Sequence, residues 1–129
     1  MLFDVLDTME WYIPLYPSMR QVIGIMDRSL PHDDEPGRYL VDGIKYEVLS
    51  YANGKDAEIQ QAREDQMHIV LEGEELISLQ EDKDPSVVLI ATEGRFVIFK
   101  AGEYYKSSLQ VGSSNVVKKV VFTLTQPQS

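Results

Sequence analysis

The chain has 129 residues, an apolar share of 43%, a net charge of −9 at neutral pH and no cysteine. That length suits one compact domain with a real core and is too short for two comfortable ones. The charge argues against binding nucleic acid through its phosphates or docking on anionic lipid, since both need a basic surface. The basic residues are scattered, with only Lys118 and Lys119 adjacent. The lack of cysteine excludes disulfides, thiolate metal sites and a Cys nucleophile, and it fits a cytoplasmic protein.

The N-terminal stretch MLFDVLDTMEWY carries Asp4, Asp7 and Glu10 and no basic residue before Arg20, so no secretory signal is expected. The longest apolar run, Val87–Ala91, is far too short to span a bilayer. Residues 1–30 are expected to be helical. Asp7-Thr8 would cap a short turn ended by Pro14, and Ser18 would cap a second helix. In that helix Met19, Val22, Ile23 and Met26 form one apolar stripe, which should lie on the outside of a sheet. Gly24 within it costs about 1 kcal/mol relative to Ala. Residues 31–37, PHDDEPG, read as a polar loop, and His32 there sits among acids without metal-ligand spacing.

From Arg38 the pattern turns to β. Arg38–Val41 and Ile44–Tyr51 flank Asp42-Gly43, a strong two-residue hairpin signal. Tyr46 and Val48 share one face of the second strand, Glu47 and Leu49 the other. Asn53-Gly54 is a further turn signal, and Lys55–Asp65 is expected to be extended or irregular. The stretch QMHIVLEGEE, residues 66–75, organises the rest. Met67, Ile69 and Leu71 alternate with Gln66, His68 and Val70, which puts one set on each face of a strand. Glu72-Gly73 would turn a central hairpin into a second strand from Glu74 to Leu79. Glu81–Ser86 reads as a charged loop, and Val87–Ala91 as a strand buried on both faces. Strands at Arg95–Lys100 and Glu103–Leu109 follow Gly turns, then a loop at Gly112–Asn115. A closing strand, Val116–Thr125, carries Val120, Phe122 and Leu124 on one face and Lys119 on the other. Many short strands divided by Gly turns imply a barrel or sandwich.

Familiar catalytic motifs are absent. There is no Gly-rich phosphate loop, G-x-S-x-G, H-E-x-x-H or EF-hand loop. Two histidines, His32 and His68, cannot build a multi-histidine metal site. His68 shares a strand face with Gln66, and paired polar side chains inside a barrel mark a place for a small-molecule site.

Several stretches together resemble the YhcH/YjgK/YiaL family, which includes the small subunit of the evolved β-galactosidase. They are Pro36-Gly37-Arg38-Tyr39 with Asp42-Gly43, then Val48–Tyr51, Val70–Glu75, Phe96–Phe99, Ala101-Gly102-Glu103 and Lys118–Val121, in the family's order from about Phe3 to Leu124. The resemblance implies a mainly β fold, a double-stranded β-helix or cupin-like jelly-roll barrel over residues 38–125, with N-terminal helices of residues 1–30 packed outside, all one domain. The resemblance also implies a site of the kind that can bind a divalent metal, and the cupin motifs, closed by Gly73, place its ligand positions at Ile59, Gln61, Gln66 and Tyr105. Those residues supply no imidazole or carboxylate, so no metal cofactor is expected here. A register shift of one or two residues across 55–65 would instead bring Glu58 or Glu64 inward.

The resemblance further implies a sugar or sugar-acid ligand, or a glycosidase large subunit as partner. Gln61, Gln66, His68, Tyr105 and Lys119 are the candidate ligand-binding residues. Two readings follow. One is a degenerate member that binds a sugar or serves as an accessory subunit. The other is a mutarotase or isomerase with His68 as acid/base and Glu103 as its partner. Lys119, on the face opposite Val120, reads as a solvated strand residue before it reads as a substrate clamp. A homodimer paired through a sheet edge is an expectation for barrels of this type, with no direct sign of it in the sequence.

Overall fold

Period-two alternation gives one sheet of this protein two different surfaces. The computed structural model describes residues 2–52, 59–81, 84–109 and 116–124. Strand β1 (Leu2–Val5) leads into a 3-10 turn (Leu6–Tyr12) and two helices, α1 (Met19–Asp27) and α2 (Leu30–Asp33). The strands that follow are β2 (Gly37–Val41), β3 (Ile44–Ala52), β4 (Gln60–Gln61), β5 (Gln66–Glu72) and β6 (Glu74–Glu81). The last four are β7 (Asp84–Thr92), β8 (Arg95–Phe99), β9 (Tyr104–Leu109) and β10 (Val116–Thr123). A six-stranded sheet runs β1-β8-β5-β10-β3-β2 and a four-stranded sheet runs β4-β9-β6-β7, with antiparallel pairing throughout.

The outer face of the six-stranded sheet carries Met67, Ile69 and Leu71 of β5, Phe96 and Ile98 of β8, and Val120 and Phe122 of β10. These pack with Tyr46 and Val48 of β3 against Met19, Val22 and Ile25 of α1, so the helix does lie on the outside of a sheet. Its fully buried stripe is Met19, Val22 and Ile25, whereas Ile23 and Met26 of the expected stripe are only partly buried at its margin. The inner face presents Val70, Val97, Phe99 and Val117, packed against Ile77, Ala91 and Tyr105 of the other sheet. The chain at β5 is therefore covered on both sides.

Asp42-Gly43 forms the expected hairpin turn, with φ of 53° and 78°. Both central residues take the left-handed conformation that a twisted two-residue hairpin requires. Several other expectations are corrected. The first residues are a strand, not helix, because Leu2–Val5 pair with the edge of β8, a long-range partner that local pattern does not reveal. The turn after it starts at Leu6 rather than at an Asp7-Thr8 cap, and the Thr8 hydroxyl donates back to the Val5 carbonyl at 2.9 Å. The polar loop at 31–37 opens within α2, where Pro31 sits in the first turn with the φ a helix start needs.

The hairpin expected at Glu72-Gly73 does not exist. β5 and β6 lie in different sheets, and Gly73, at φ 82°, carries the chain around the corner between them. A Cβ there would strike the Val116 carbonyl oxygen. The charged loop at 81–86 is shorter than expected, since β6 reaches Glu81 and β7 begins at Asp84. Pro85 is tolerated because β7 is an edge strand, with no ladder to break on its open side. Val87–Ala91 is not buried on both faces: Val88 is 54% exposed and Ile90 47%, on the face opposite Leu89 and Ala91, which pack with the inner cluster. The turn signal at Asn53-Gly54, the loop at Gly112–Asn115 and residues 55–58 lie outside the described residues. No helix among the described residues is long and apolar enough to cross a membrane.

Candidate binding cleft

Between the sheets the inner face changes from apolar to polar. Gln66 and His68 of β5, Lys119 and Val121 of β10, and Glu47, Leu49 and Tyr51 of β3 form one wall. Tyr105 and Ser107 of β9 with Gln60 and Gln61 of β4 form the other. The cleft they enclose is about 550 Å³, and Arg63 and Glu64 stand at its rim. A space of this size is ordinary for a small-molecule site.

Two hydrogen-bonded groups fill the floor. In the first, Lys119 and Glu75 form an ion pair, Nζ to Oε1 at 3.0 Å, with side chains 2% and 0% exposed. Glu75, the second residue of β6, faces inward with Ile77 and Leu79, since alternate residues share a face. The Tyr51 hydroxyl donates to Glu75 Oε2, and Lys119 Nζ lies 5.6 Å from the Tyr51 ring centroid. Burial, reinforced by the Glu75 charge, holds the Tyr51 phenol well above the usual range. Burial lowers the Lys119 ammonium below its ordinary value, and the Glu75 carboxylate opposes that shift.

In the second, Gln66 Nε2 lies 2.7 Å from His68 Nε2 and 2.9 Å from the Tyr105 hydroxyl. Tyr105 in turn donates to Gln60 Oε1 at 3.2 Å. The proton directions form one consistent chain. The Gln66 amide donates to both neighbours, so His68 Nε2 is an acceptor and the ring proton sits on Nδ1. Nδ1 is buried and has no hydrogen-bond partner among the described residues. Burial, and then the Lys119 charge, pushes the His68 pKa well below its ordinary value, so the ring is neutral near pH 7. His68 meets Phe99 and Tyr105 edge-on at 5.2 and 5.4 Å, and those two rings stack at 4.3 Å.

Of the residues singled out in the sequence, Gln66, His68, Tyr105 and Lys119 meet in the cleft. Lys119 is no solvated strand residue; the opposing sheet closes over it. Gln61 also lines the cleft, at its exposed edge beside Gln60, with its Nε2 3.4 Å from the Gly102 carbonyl. Glu103 is not brought to His68. Its carboxylate accepts the Lys100 N–H at 2.7 Å and borders a separate depression with Leu2, Leu15 and Tyr16. The register at β4 is also shifted by one. Gln60 pairs with Tyr105 and faces inward with it, and Ala62 joins the inner core, while Ile59 is 46% exposed. The inward positions are thus Gln60 and Ala62, not Ile59 and Gln61.

Sequence reasoning missed Glu75, Tyr51 and Gln60. A signal for Glu75 was present, since a carboxylate alternating with Ile77 and Leu79 lies on a core face and must find a charged partner there. Lys119, alternating with Val117 and Val121, is that partner.

No protein-family profile and no curated protein matches the chain. Solved structures do. A protein from Bacillus halodurans superposes with a TM-score of 0.58 at 14% identity, over 79% of this chain and 80% of its own. One from Neisseria meningitidis gives 0.56 at 14% identity, over 78% of this chain and 96% of its own. A cupin superfamily protein from Desulfitobacterium hafniense gives 0.50 at 14% identity, over 68% and 72%. The fold is that of a cupin-like barrel.

Cupin-like barrels commonly carry a divalent metal between their sheets, and the donors present here do not fit one. The inward positions that correspond to the ligand set are Gln60, Ala62, Gln66 and Tyr105, which offer neither imidazole nor carboxylate. The nearby imidazole has Nε2 engaged by Gln66, and the nearby carboxylate is taken by Lys119 and Tyr51. Among the described residues no group of three or more His, Asp and Glu has metal-binding geometry.

Proposed function

We propose that this cupin-like barrel is a metal-independent binder of a sugar or sugar acid. It would be a degenerate relative of the YhcH/YjgK/YiaL proteins, acting by itself or as the accessory subunit of a glycosidase. The observation that carries this reading is the chain Gln60–Tyr105–Gln66–His68 inside the cleft. It is built of neutral amide, phenol and imidazole groups, and among the described residues the buried Nδ1 of His68 has no hydrogen-bond partner. Amide and phenol groups suit hydroxyls, which both donate and accept. The sugar connection rests on the resemblance of short segments, in order along the chain, to the YhcH/YjgK/YiaL family.

The test is a titration of isotopically labelled protein with a panel of monosaccharides and sugar acids, followed by NMR with and without EDTA. The expected result is saturable shifts at Gln66, His68 and Tyr105 that EDTA leaves unchanged, and at least tenfold weaker binding in Gln66→Leu. Silence across the whole panel, or shifts that vanish with EDTA, would sink the reading.

The catalytic alternative, a mutarotase or isomerase with His68 as acid/base, is served less well. Burial makes His68 a weak base, its Nε2 is engaged, and Glu103 lies elsewhere. A large loss of anomerisation rate in a folded His68→Ala protein would restore it.

A further inference from the structure

The ion pair at the cleft floor is more than a hydroxyl-binding site requires. Lys119 is the one buried lysine among the described residues; Lys45 and Lys100 are exposed. A buried ion pair is weak ground for stability, because apolar residues of the same volume serve as well or better. Its position is also specific. Lys119 lines the cleft and Glu75 lies buried behind that lining; one carboxylate oxygen stands 3.0 Å from Nζ, and Tyr51 holds the other oxygen so that Oε1 stays turned to the amine.

We propose that Lys119 is a reactive amine that forms an imine with the carbonyl group of an open-chain aldehyde or keto sugar, with Glu75 moving the protons. This rests on the reading of the cleft as a sugar site and deepens it by naming the reacting group of the ligand. Buried lysines give up their proton more readily than exposed ones, which suits them to Schiff-base chemistry. The low exposure of both side chains also keeps water from the product.

The steps balance without any further reactant. A proton passes from Lys119 Nζ to Glu75, which leaves a neutral amine and a neutral acid. The amine nitrogen forms a bond to the carbonyl carbon as the C=O π pair moves to oxygen, and Glu75 protonates that oxygen. Glu75 then takes a proton from the nitrogen. It returns that proton to the hydroxyl as the C–O bond breaks, so that water leaves and a protonated imine remains beside the carboxylate. One ammonium and one carbonyl become one iminium and one water.

The experiment treats the full-length chain with D-glyceraldehyde and sodium cyanoborohydride, which reduces an iminium to a stable secondary amine, and maps the labelled lysines by mass spectrometry. Lys119 is expected to label at least tenfold faster than Lys45 or Lys100. Labelling at or below the rate of those surface lysines overturns the proposal. Glu75→Gln, checked for folding by circular dichroism, should slow Lys119 labelling at least tenfold and leave Lys45 unchanged; an unchanged Lys119 rate removes Glu75 from the mechanism. If that variant does not fold, the wild-type ratio decides alone. A parallel NMR titration with glucitol, which has no carbonyl, separates the two readings. Glucitol shifts at Gln66 and Tyr105 without trapping at Lys119 break the imine and leave the sugar site standing. No shift with either compound breaks both.

Discussion

The two faces of β5 are built from adjacent residues and do opposite work. Met67, Ile69 and Leu71 are buried with Met19, Val22 and Ile25 of α1 in an apolar cluster. Gln66 and His68, one peptide away, face a cleft where an ion pair and a hydrogen-bond chain sit among aromatic rings. On the outer face stability is a matter of filled volume. On the inner face it depends on every polar group meeting its partner, because the same low dielectric that strengthens a buried pair penalises a lone one. A strand covered on both sides therefore need not be apolar on both.

The largest test of that contrast is Glu75→Ala. It leaves the Lys119 charge buried and unpaired, and about 3–5 kcal/mol of stability should be lost in denaturant titration. The double change Glu75→Leu with Lys119→Met should instead stay within about 1 kcal/mol of the parent, or exceed it. Similar losses for the single and double variants would show that the inner face behaves like the outer one.

Ile69→Ala, on the outer face, comes next at about 2–5 kcal/mol, the toll of a cavity in a packed cluster. This loss should be insensitive to pH between 5 and 8 and should leave sugar binding unchanged once folding is saturated. A change in ligand affinity for folded Ile69→Ala would mean that the two faces are coupled.

A smaller effect belongs to His68. Its folded pKa lies below its unfolded value of about 6.5, so between those values the unfolded chain holds a proton that the folded one lacks. Stability should rise with pH there, be fully present above about 6.5, and fall on acidification by at most about 1.4 kcal/mol per pH unit. His68→Phe should flatten the curve between pH 5 and 6.5. Equal stability of the parent at pH 5.5 and 7 would contradict a neutral, buried ring.

Much of the barrel was readable in the alternation of side chains. Tyr46 and Val48 on one face, Val120, Phe122 and Leu124 on another, and the Asp42-Gly43 hairpin all follow from local rules of period and turn conformation. Half of the candidate site was readable too, because Gln66 and His68 interrupt an apolar strand in phase with each other. The register at Gln60 was not, since a two-residue strand carries too little pattern to show which residue faces inward. Nor was the exposure of Val88 and Ile90 on β7, because an apolar run reads alike whether one face or both are covered.

The sequence by itself determined which residues share a face, where the chain must turn, and that no thiolate or multi-histidine chemistry is available. Those properties depend on residue type and on neighbours within a few positions. Only the tertiary structure decided that β5 and β6 part into different sheets, that Leu2–Val5 joins β8 as a strand, and that Glu103 faces away from His68. It alone paired Glu75 with Lys119, 44 residues apart in the chain. Each of these depends on how two sheets close over one another, and a charge on a core face states the need for a partner without naming which distant strand supplies it.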